Sequence, residues 1–522
     1  LAEFSEEPSL SFYDLIKAVN VAALDNKVQA LVADVGNTSL GLAQIQDLRE
    51  AVKAFRSTGK KAYLYSSGMG SFGGGTDDYY LASAFDEIWM QPNTEIGITG
   101  LNIEVPFLKG LLDKVGIMAE FYARHEYKNA AASFLNSAFT PQYREETERL
   151  GQSLYDRIVA DVCADRKLDE NIFRRLVNRA PLSADEGLKE GLIDKTAFKP
   201  DLLEKVLDET KGEMIDVYDY AYSLEESGKK LPTIAFLVVD GTISGGKSLS
   251  NPLQGESIVG SETLIQQLDE IANNKYVKAL LLRINSPGGS YTASAEIWNA
   301  LSRLKEKRKL PIVVSMGDYA ASGGYFIALP GDKILAEAST VTGSIGVLGG
   351  KMVLAGLWDK LEINWGEVKF GDNAGILSAN HKFSEREKEV FNRSLDNVYR
   401  DFTAKVAAAR NISPEKMDKL ARGRVWTGIQ AVENGLADEI GGIDRAVAYA
   451  KQLGGIPPKS RFGIAYYPKA KTLQEKIAEL VGGGPKISVN KVINQMGLDI
   501  ESVNMLKRLQ YETVLPPFKL DL

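Results

Sequence analysis

The sequence contains two copies of one pattern, and this internal repeat limits the possible folds more than any other feature. Residues 79–100 align with residues 325–346, and residues 111–117 align with residues 357–363, both at an offset of 246 positions. Chance could produce one such match, but it does not produce a series of matches in the same order along the chain. The repeat therefore predicts two homologous domains in one chain.

Each copy alternates short apolar runs, typical of β-strands, with segments that have the periodicity of helices. The runs VQALVADVGNT at 28–38 and VKALLLRINSPGG at 277–289 both end in small turn residues and both precede a helical pattern. Strands that alternate with helices indicate an α/β fold with largely parallel strands. We expect four segments: a first repeat at 1–210, a linker at 211–230, a second repeat at 231–455 and a C-terminal extension at 456–522.

Composition excludes several function classes. The net charge is −7 and no block of basic residues occurs, so nucleic acid is not an expected partner. The one cysteine, Cys163, can form neither an intramolecular disulfide nor a cysteine-based metal cluster. The sequence has no P-loop pattern, and we expect no metal or other cofactor. It also contains no apolar run of about 18 residues that would span a membrane, and no visible signal peptide.

Two glycine-containing turns in the second copy indicate nucleophilic chemistry. One is Asn-Ser-Pro-Gly-Gly at 285–289, and the other is Ala-Ala-Ser-Gly-Gly at 320–324, where Ser322 lies between a strand and a helical run. A glycine after the serine leaves its N–H open to a substrate, and two converging N–H groups would form an oxyanion hole. The natural donors are Gly323 and the Gly288–Gly289 turn. The alternative interpretation is that these residues are only helix caps and turns.

These motifs resemble the long form of the signal peptide peptidase A (SppA) family, and the resemblance covers nearly all of residues 1–455. It is carried by SPGGS, MGDYAASGGYFIAL and STVTGSIGVLGG. The resemblance implies two tandem ClpP/crotonase-like domains and a serine protease with a Ser/Lys dyad. It implies that Ser322 is the nucleophile, that Gly289 and Gly323 form the oxyanion hole, and that Ser344 orients the general base.

The general base is not expected to be a histidine. The chain has only His125 and His381, and the segment TVTGSIGVLGG beyond Ser322 has none, so a Ser–His–Asp triad is not predicted. The SppA family has a Tyr-Lys pair followed by small residues, and Tyr127-Lys128 matches it. The resemblance therefore implies Lys128 as the base. A lysine can act at neutral pH only when burial lowers its pKa, so we expect Lys128 to be buried beside Ser322.

The two copies have lost opposite halves of this site. At the offset of 246, the counterpart of Lys128 is Ala374 and the counterpart of Ser322 is Thr76. One copy thus retains a base without a nucleophile, and the other retains a nucleophile without a base. We expect one site to form across a domain interface, either within one chain or between protomers.

The resemblance also implies a function and a setting. Such an enzyme degrades cleaved signal peptides and other apolar or unfolded peptides through an acyl-enzyme, and forms a ring-like homo-oligomer, a tetramer in the long form. It lies at the bacterial inner membrane with its catalytic part facing the periplasm, held by an N-terminal anchor that we expect to be absent from this chain. The alternatives are a crotonase-type acyl-CoA enzyme and a catalytically inactive scaffold. Neither would be affected by Ser322→Ala.

Overall fold

The computed structural model describes residues 11–70, 74–224, 231–251 and 256–468. The sequence EESGKK at 225–230, in the expected linker, lies outside the described residues, as does most of the expected C-terminal extension. Within the described part of the chain, no helix is both long and apolar enough to cross a membrane.

The first half of the chain contains a small parallel sheet surrounded by helices. The strands of this half are β1 (Ala30–Asp34), β2 (Lys61–Ser66), β3 (Glu87–Met90), β4 (Glu95–Ile96), β5 (Met118–Ala123), β6 (Leu182–Ser183) and β7 (Lys195–Thr196), of which β1, β2, β3 and β7 form the sheet. Its helices are α1 (Phe12–Leu24), α2 (Leu42–Ser57), α3 (Thr76–Ala82), α4 (Lys109–Val115), α5 (Ala132–Leu135), α6 (Pro141–Arg166), α7 (Glu170–Arg179), α8 (Ala184–Lys189), α9 (Lys199–Thr210) and α10 (Val217–Ser223).

The second half contains a larger sheet with the same kind of surroundings. The strands of this half are β8 (Thr233–Asp240), β9 (Thr242–Ser244), β10 (Leu249–Asn251), β11 (Glu256–Gly260), β12 (Val277–Ser286), β13 (Ile312–Ala321), β14 (Lys333–Ala336), β15 (Val341–Gly343), β16 (Leu348–Val353), β17 (Val425–Thr427), β18 (Glu439–Ile440) and β19 (Gly463–Tyr467). Of these, β9, β10, β11 and β16 lie outside the larger sheet. Its helices are α11 (Ser261–Asn273), α12 (Tyr291–Arg308), α13 (Gly323–Ala328), α14 (Ala355–Lys360), α15 (Glu385–Arg410), α16 (Pro414–Leu420), α17 (Gly428–Asn434) and α18 (Ile443–Leu453).

The two halves have the same strand order, as the repeat predicts. The first sheet runs β1-β2-β3-β7 with parallel neighbours, and the second contains β12-β13-β14-β18 in the same parallel arrangement. Each half also has a corresponding short antiparallel pair, β4 with β6 in the first and β15 with β17 in the second. The α/β fold with an internal duplication is therefore present in the structure.

The second sheet is extended at one edge by strands that have no counterpart in the described part of the first. β8 pairs with β12, and β19 pairs with the other side of β8, both in parallel. β19 comes from the segment that we expected to be a C-terminal extension, and it forms the edge of the second sheet. Helix α10 comes from the expected linker and packs against α1, where Tyr220 donates a hydrogen bond to Asp25.

One strand of the first repeat pairs with the second repeat. β5 forms an antiparallel ladder with β16, from the pair Leu348–Ala123 to the pair Val353–Met118. The chain that follows β5 therefore continues along the surface of the second repeat. This crossing brings residues 124–131 towards the turn between β13 and α13.

A shared apolar core holds the repeats together. Ile45 and Phe55 of α2 belong to the same buried cluster as Leu281 of β12 and Val313 of β13. A fully buried aliphatic or aromatic side chain of this size contributes about 1.5–3 kcal/mol to stability, so this interface resembles a domain core. The two repeats consequently have a defined relative position, which a site assembled from both of them requires.

A buried ion pair crosses the same interface. Asp47 of α2 accepts a hydrogen bond from the guanidinium of Arg283 on β12, and both side chains are almost fully buried. Asp47 also accepts the N–H of Ile443 at 2.8 Å, at the start of α18. An unpaired buried charge is strongly unfavourable, so this pair disfavours any other packing of α2 against the second sheet.

Candidate active site

Ser322 occupies the sharp turn between β13 and α13. Its φ of 54° lies in the left-handed region, which is costly for a residue with a side chain and is maintained only by the surrounding structure. The N–H of Ser322 donates to the carbonyl oxygen of Gly343 at 2.8 Å, which holds the turn against β15. The next residue must be small, because a Cβ on Gly323 would lie 2.5 Å from Ser294 Oγ. The packing thus presents the Ser322 hydroxyl at a fixed position.

Lys128 lies in the loop that follows β5. The N–H of Tyr127 donates to the carbonyl oxygen of Arg422 at 3.2 Å, and the Arg424 guanidinium lies 3.6 Å from the centre of the Tyr127 ring. Gly423 lies directly against the lysine backbone, because a Cβ there would be 2.6 Å from Lys128 Cα. A segment of the second repeat therefore supports the lysine loop of the first.

The structure brings the three predicted side chains together. Lys128 Nζ lies 3.0 Å from Ser322 Oγ and 2.8 Å from Ser344 Oγ, and it donates to the Ser344 carbonyl oxygen at 2.9 Å. All three residues are buried, with Lys128 only 5% exposed and both serines 1% exposed. The three side chains belong to one chain, so this arrangement needs no second protomer.

Burial sets the protonation of the lysine. It lowers the pKa of Lys128 from 10.5 to about 7, because the apolar surroundings disfavour the charged ammonium. The nearby carboxylate of Glu146 acts in the opposite direction and raises this pKa. A substantial fraction of Lys128 is therefore neutral at neutral pH, with a lone pair that can accept a proton from Ser322.

The two glycines predicted to form an oxyanion hole are neighbours. A Cβ on Gly323 would lie 3.2 Å from the backbone nitrogen of Gly289. Gly289 has a φ of 150°, and a side chain on it would meet the carbonyl oxygen of Ile243 at 2.0 Å. In the described part of the chain, no backbone acceptor binds the Gly289 N–H, and the amide of Gly323 begins α13, where it has no intrahelical partner. Both N–H groups are available to a substrate oxygen beside Ser322.

Family models match both halves of the chain. The model of peptidase family S49 matches residues 54–212 and 304–456, and the model of Clp protease matches residues 256–341. The chain belongs to peptidase family S49. It is therefore a serine protease with ClpP-like domains, as the resemblance to the SppA family predicted.

Two curated relatives match most of the chain, and a third matches less than half of it. "Serine protease SPPA, chloroplastic" of Arabidopsis thaliana is 30% identical over 478 residues, which are 88% of this chain and 68% of that protein. "Protease 4" of Salmonella typhi is 30% identical over 505 residues, 93% of this chain and 78% of that protein. "Putative signal peptide peptidase SppA" of Enterococcus faecium is 37% identical over 227 residues, 44% of this chain and 65% of that protein.

Neither histidine of this S49 chain belongs to the site. His125 is exposed, and its ring packs on Tyr399 with 4.8 Å between the ring centres. His381 lies in the second repeat beside Lys369, with its Nδ1 2.8 Å from the carbonyl oxygen of Lys382. Among the described residues, no group of three or more His, Cys, Asp or Glu side chains could hold a metal ion.

Sequence reasoning missed Glu146, a buried acid behind the lysine. It lies on α6 and is fully buried. Its spacing from Tyr143, Leu150 and Leu154 is that of one helix face, and all three of those residues are buried. A carboxylate on an apolar helix face was the available signal, because such a group requires buried hydrogen-bond partners.

The turn of the first repeat that corresponds to the Ser322 turn carries a carboxylate instead of glycines. Thr76 occupies the position of Ser322, and Asp78 follows where the second repeat has Gly324. The carboxylate of Asp78 accepts the N–H groups of Asn37 and Thr38 at 2.7 and 2.8 Å. These two residues follow β1, so in the first repeat the Asp78 side chain binds the backbone of the turn that leaves this strand.

Proposed function

We propose that this S49 protein is an endopeptidase with a Ser/Lys dyad that degrades cleaved signal peptides and other apolar or unfolded peptides. In this proposal Ser322 is the nucleophile, Lys128 is the general base, Ser344 orients the base, and Gly289 and Gly323 form the oxyanion hole. The observation that carries it is the buried contact of 3.0 Å between Lys128 Nζ and Ser322 Oγ.

The acylation step follows from this arrangement. Neutral Lys128 accepts the Ser322 proton while Oγ attacks the substrate carbonyl carbon. The carbonyl oxygen becomes negatively charged, and the N–H groups of Gly289 and Gly323 stabilise it. The lysine ammonium then transfers the proton to the leaving amine as the peptide bond breaks. The products are a free amine and an ester on Ser322.

Hydrolysis of the ester uses the same groups. Lys128 is neutral again and accepts a proton from a water molecule that attacks the ester carbonyl. The second tetrahedral intermediate breaks down with proton return to Ser322 Oγ, which releases the carboxylic acid product. The hydrogen bonds to the side chain and carbonyl of Ser344 limit the positions of the amine, so that it remains within reach of Oγ throughout.

The substrate class is supported by the names of relatives and by chemistry. One relative is named a putative signal peptide peptidase, and others are named proteases without a stated substrate. Signal peptides have a short apolar core and are released at the membrane. We therefore place the protein at the bacterial inner membrane with its catalytic part facing the periplasm. Protease accessibility of the protein in intact spheroplasts would test that orientation.

We further propose a homo-oligomer, a tetramer, assembled through the repeat. At the offset of 246, the counterpart of β16 is 102–107 and the counterpart of β5 is 364–369. In the described chain both segments lie outside every β-strand. The second segment is exposed and carries two exposed apolar side chains, Trp365 at 58% and Val368 at 84%. Neighbouring exposed apolar side chains are typical of an interaction surface.

The repeat also predicts how these segments pair. β5 pairs with β16 within the chain, so 364–369 of one protomer would pair antiparallel with 102–107 of the next. Because the two edges differ, the contact is head-to-tail, and we propose that four copies close it into a ring. The double variant Asn102→Cys with Lys369→Cys should form disulfides between chains in a complex with the mass of a tetramer. A monomeric protein, or cross-linking equal to that of the single variants, would contradict this assembly.

The catalytic proposal is tested by hydrolysis of an apolar fluorogenic peptide. We expect Ser322→Ala and Lys128→Ala each to lose at least about 1,000-fold in kcat/KM. An active-site acylating probe should label Ser322 in the wild type, as read by mass spectrometry. Lys351→Met is the matched control, because Lys351 is also a buried lysine but contacts the carbonyl of Ile376.

The outcomes separate the alternatives. Loss of activity in both dyad variants with near-normal activity in Lys351→Met supports the split dyad. Near-normal activity of Lys128→Ala would require another base. Unchanged activity of Ser322→Ala would indicate that the measured activity does not use this serine, as expected for an acyl-CoA enzyme or a scaffold.

A further inference from the structure

Glu146 is buried next to the dyad but has no part in the chemistry proposed above. It lies on α6, which packs against β17 of the second repeat. The side chain is fully buried. A carboxylate so far from solvent is stable only with well-placed hydrogen-bond donors. Its partners therefore indicate which segments of the chain it connects.

Those partners belong to two segments, one from each repeat. Glu146 Oε2 accepts from the side-chain amide of Asn129 at 3.0 Å, and Asn129 is the residue after the proposed base. Glu146 Oε1 accepts the backbone N–H of Val425 at 2.8 Å, at the start of β17. One carboxylate thereby connects the lysine loop of the first repeat with a strand of the second.

The Val425 side of this connection leads directly to Ser344. Val425 pairs with Gly343 in the ladder between β17 and β15. The preceding residue, Arg424, accepts the N–H of Ser344 at 2.8 Å through its carbonyl oxygen. Displacing the start of β17 would therefore displace the serine that contacts the lysine amine.

We propose that Glu146 is a positioning residue that aligns Lys128 with Ser322 and Ser344 by tying Asn129 to Val425. This inference rests on the proposed Ser/Lys mechanism. Glu146 does not contact the reacting atoms, and it acts through the two backbone segments that hold the base and its orienting serine.

Electrostatics gives Glu146 a second effect on the base. Burial raises the pKa of Glu146 to about 7, while the bonds from Val425 and Asn129 and the charges of Arg149 and Arg424 oppose that rise. Three charged groups face Glu146: Lys128 from the lysine loop, Arg424 from the segment before β17, and Arg149 from α6 itself. The titratable side chain of Tyr143 also lies near it. When ionised, Glu146 raises the pKa of Lys128.

The decisive variant is Glu146→Gln, which keeps the side-chain size but removes the charge and one acceptor. We expect kcat for the fluorogenic peptide to fall about 10- to 100-fold with KM nearly unchanged, because the base is misplaced while substrate contacts remain. We also expect the apparent pKa of the acid limb of the kcat/KM profile to move lower, because the anion that raises the lysine pKa is gone. The control is Glu145→Gln, the preceding residue on α6, which is partly exposed and pairs with Arg424.

Asn129→Ala provides a second variant if Glu146→Gln fails to fold. It removes one side of the connection but keeps the carboxylate charge. We expect a fall in kcat of similar size without a shift of the acid limb. Wild-type kcat in Asn129→Ala, or wild-type kcat and pH profile in folded Glu146→Gln, would overturn the inference. Loss of activity in Ser322→Ala and Lys128→Ala in the same assay would show that the dyad itself still stands.

Discussion

Lys128 Nζ and Ser322 Oγ lie 3.0 Å apart although 194 positions separate the two residues along the chain. The contact depends on two features of the interface between the repeats. The ladder between β5 and β16 directs the lysine loop onto the second repeat, and the shared core around α2 holds the second sheet in place. Changes that loosen this interface should therefore reduce activity even when they lie far from the dyad.

The rate of peptide hydrolysis should rise with pH around neutrality. The pKa of Lys128 is lowered to about 7, so the neutral amine, which is the proposed base, is lost as pH falls below that value. We expect kcat/KM to fall about tenfold per pH unit below pH 6 and to be nearly constant above pH 8. A series of initial rates from pH 5 to 9 measures this. A rate that does not change between pH 6 and 8 would contradict a buried lysine base.

Replacing Lys128 with methionine should stabilise the fold while abolishing activity. The lysine has a pKa of 10.5 when unfolded and about 7 when folded, so the unfolded state binds more protons between these values. Wild-type stability therefore rises with pH in that window, and the burial penalty is greatest below pH 7. We expect the gain from Lys128→Met to be about 3 kcal/mol larger at pH 6 than at pH 9.

Urea unfolding at the two pH values measures that difference. Lys109→Met replaces an exposed lysine in α4 and serves as the control, for which we expect no such pH dependence. Equal gains for Lys128→Met at pH 6 and pH 9 would mean that Lys128 is not buried in its charged form at low pH.

A methyl group on Gly323 should impair the oxyanion hole. The new Cβ would lie 2.5 Å from Ser294 Oγ and 3.2 Å from the Gly289 nitrogen. We expect Gly323→Ala to lower kcat about 100-fold, a loss comparable to that of one oxyanion donor. The double variant with Ser294→Ala relieves the contact with Oγ, so thermal stability should recover while kcat stays low. Full recovery of kcat would show that the clash alone caused the defect.

The hydrogen bonds of Asp78 in the first repeat should contribute to the stability of the fold and not to peptide hydrolysis. Asp78→Ala leaves the N–H groups of Asn37 and Thr38 without their carboxylate acceptor. We expect a loss of about 2–3 kcal/mol in the free energy of unfolding, with kcat per folded molecule unchanged. Asp77→Ala should cost less, because the N–H that Asp77 accepts at 2.9 Å belongs to the adjacent residue, Asp78. A large fall in kcat for folded Asp78→Ala would contradict a purely structural role.

Much of the site could be predicted from local patterns. The repeat predicted the duplicated α/β fold, and the Gly-rich turns predicted where a nucleophile and oxyanion donors could lie. The resemblance to the SppA family assigned Ser322 and Lys128, and comparing the copies then identified Thr76 and Ala374 as their counterparts. These inferences depend on turn chemistry, on family motifs and on alignment within one sequence, so they need no knowledge of distant contacts.

The tertiary structure decided which distant segments meet. A strand pattern indicates that a segment needs an edge to pair with, but it does not specify which edge. The pairing of β5 with β16, the addition of β19 to the second sheet and the closure of the dyad within one chain were therefore open. The role of Glu146 was hidden for the same reason: its partners, Asn129 and Val425, lie on separate segments that come together only when the two repeats pack.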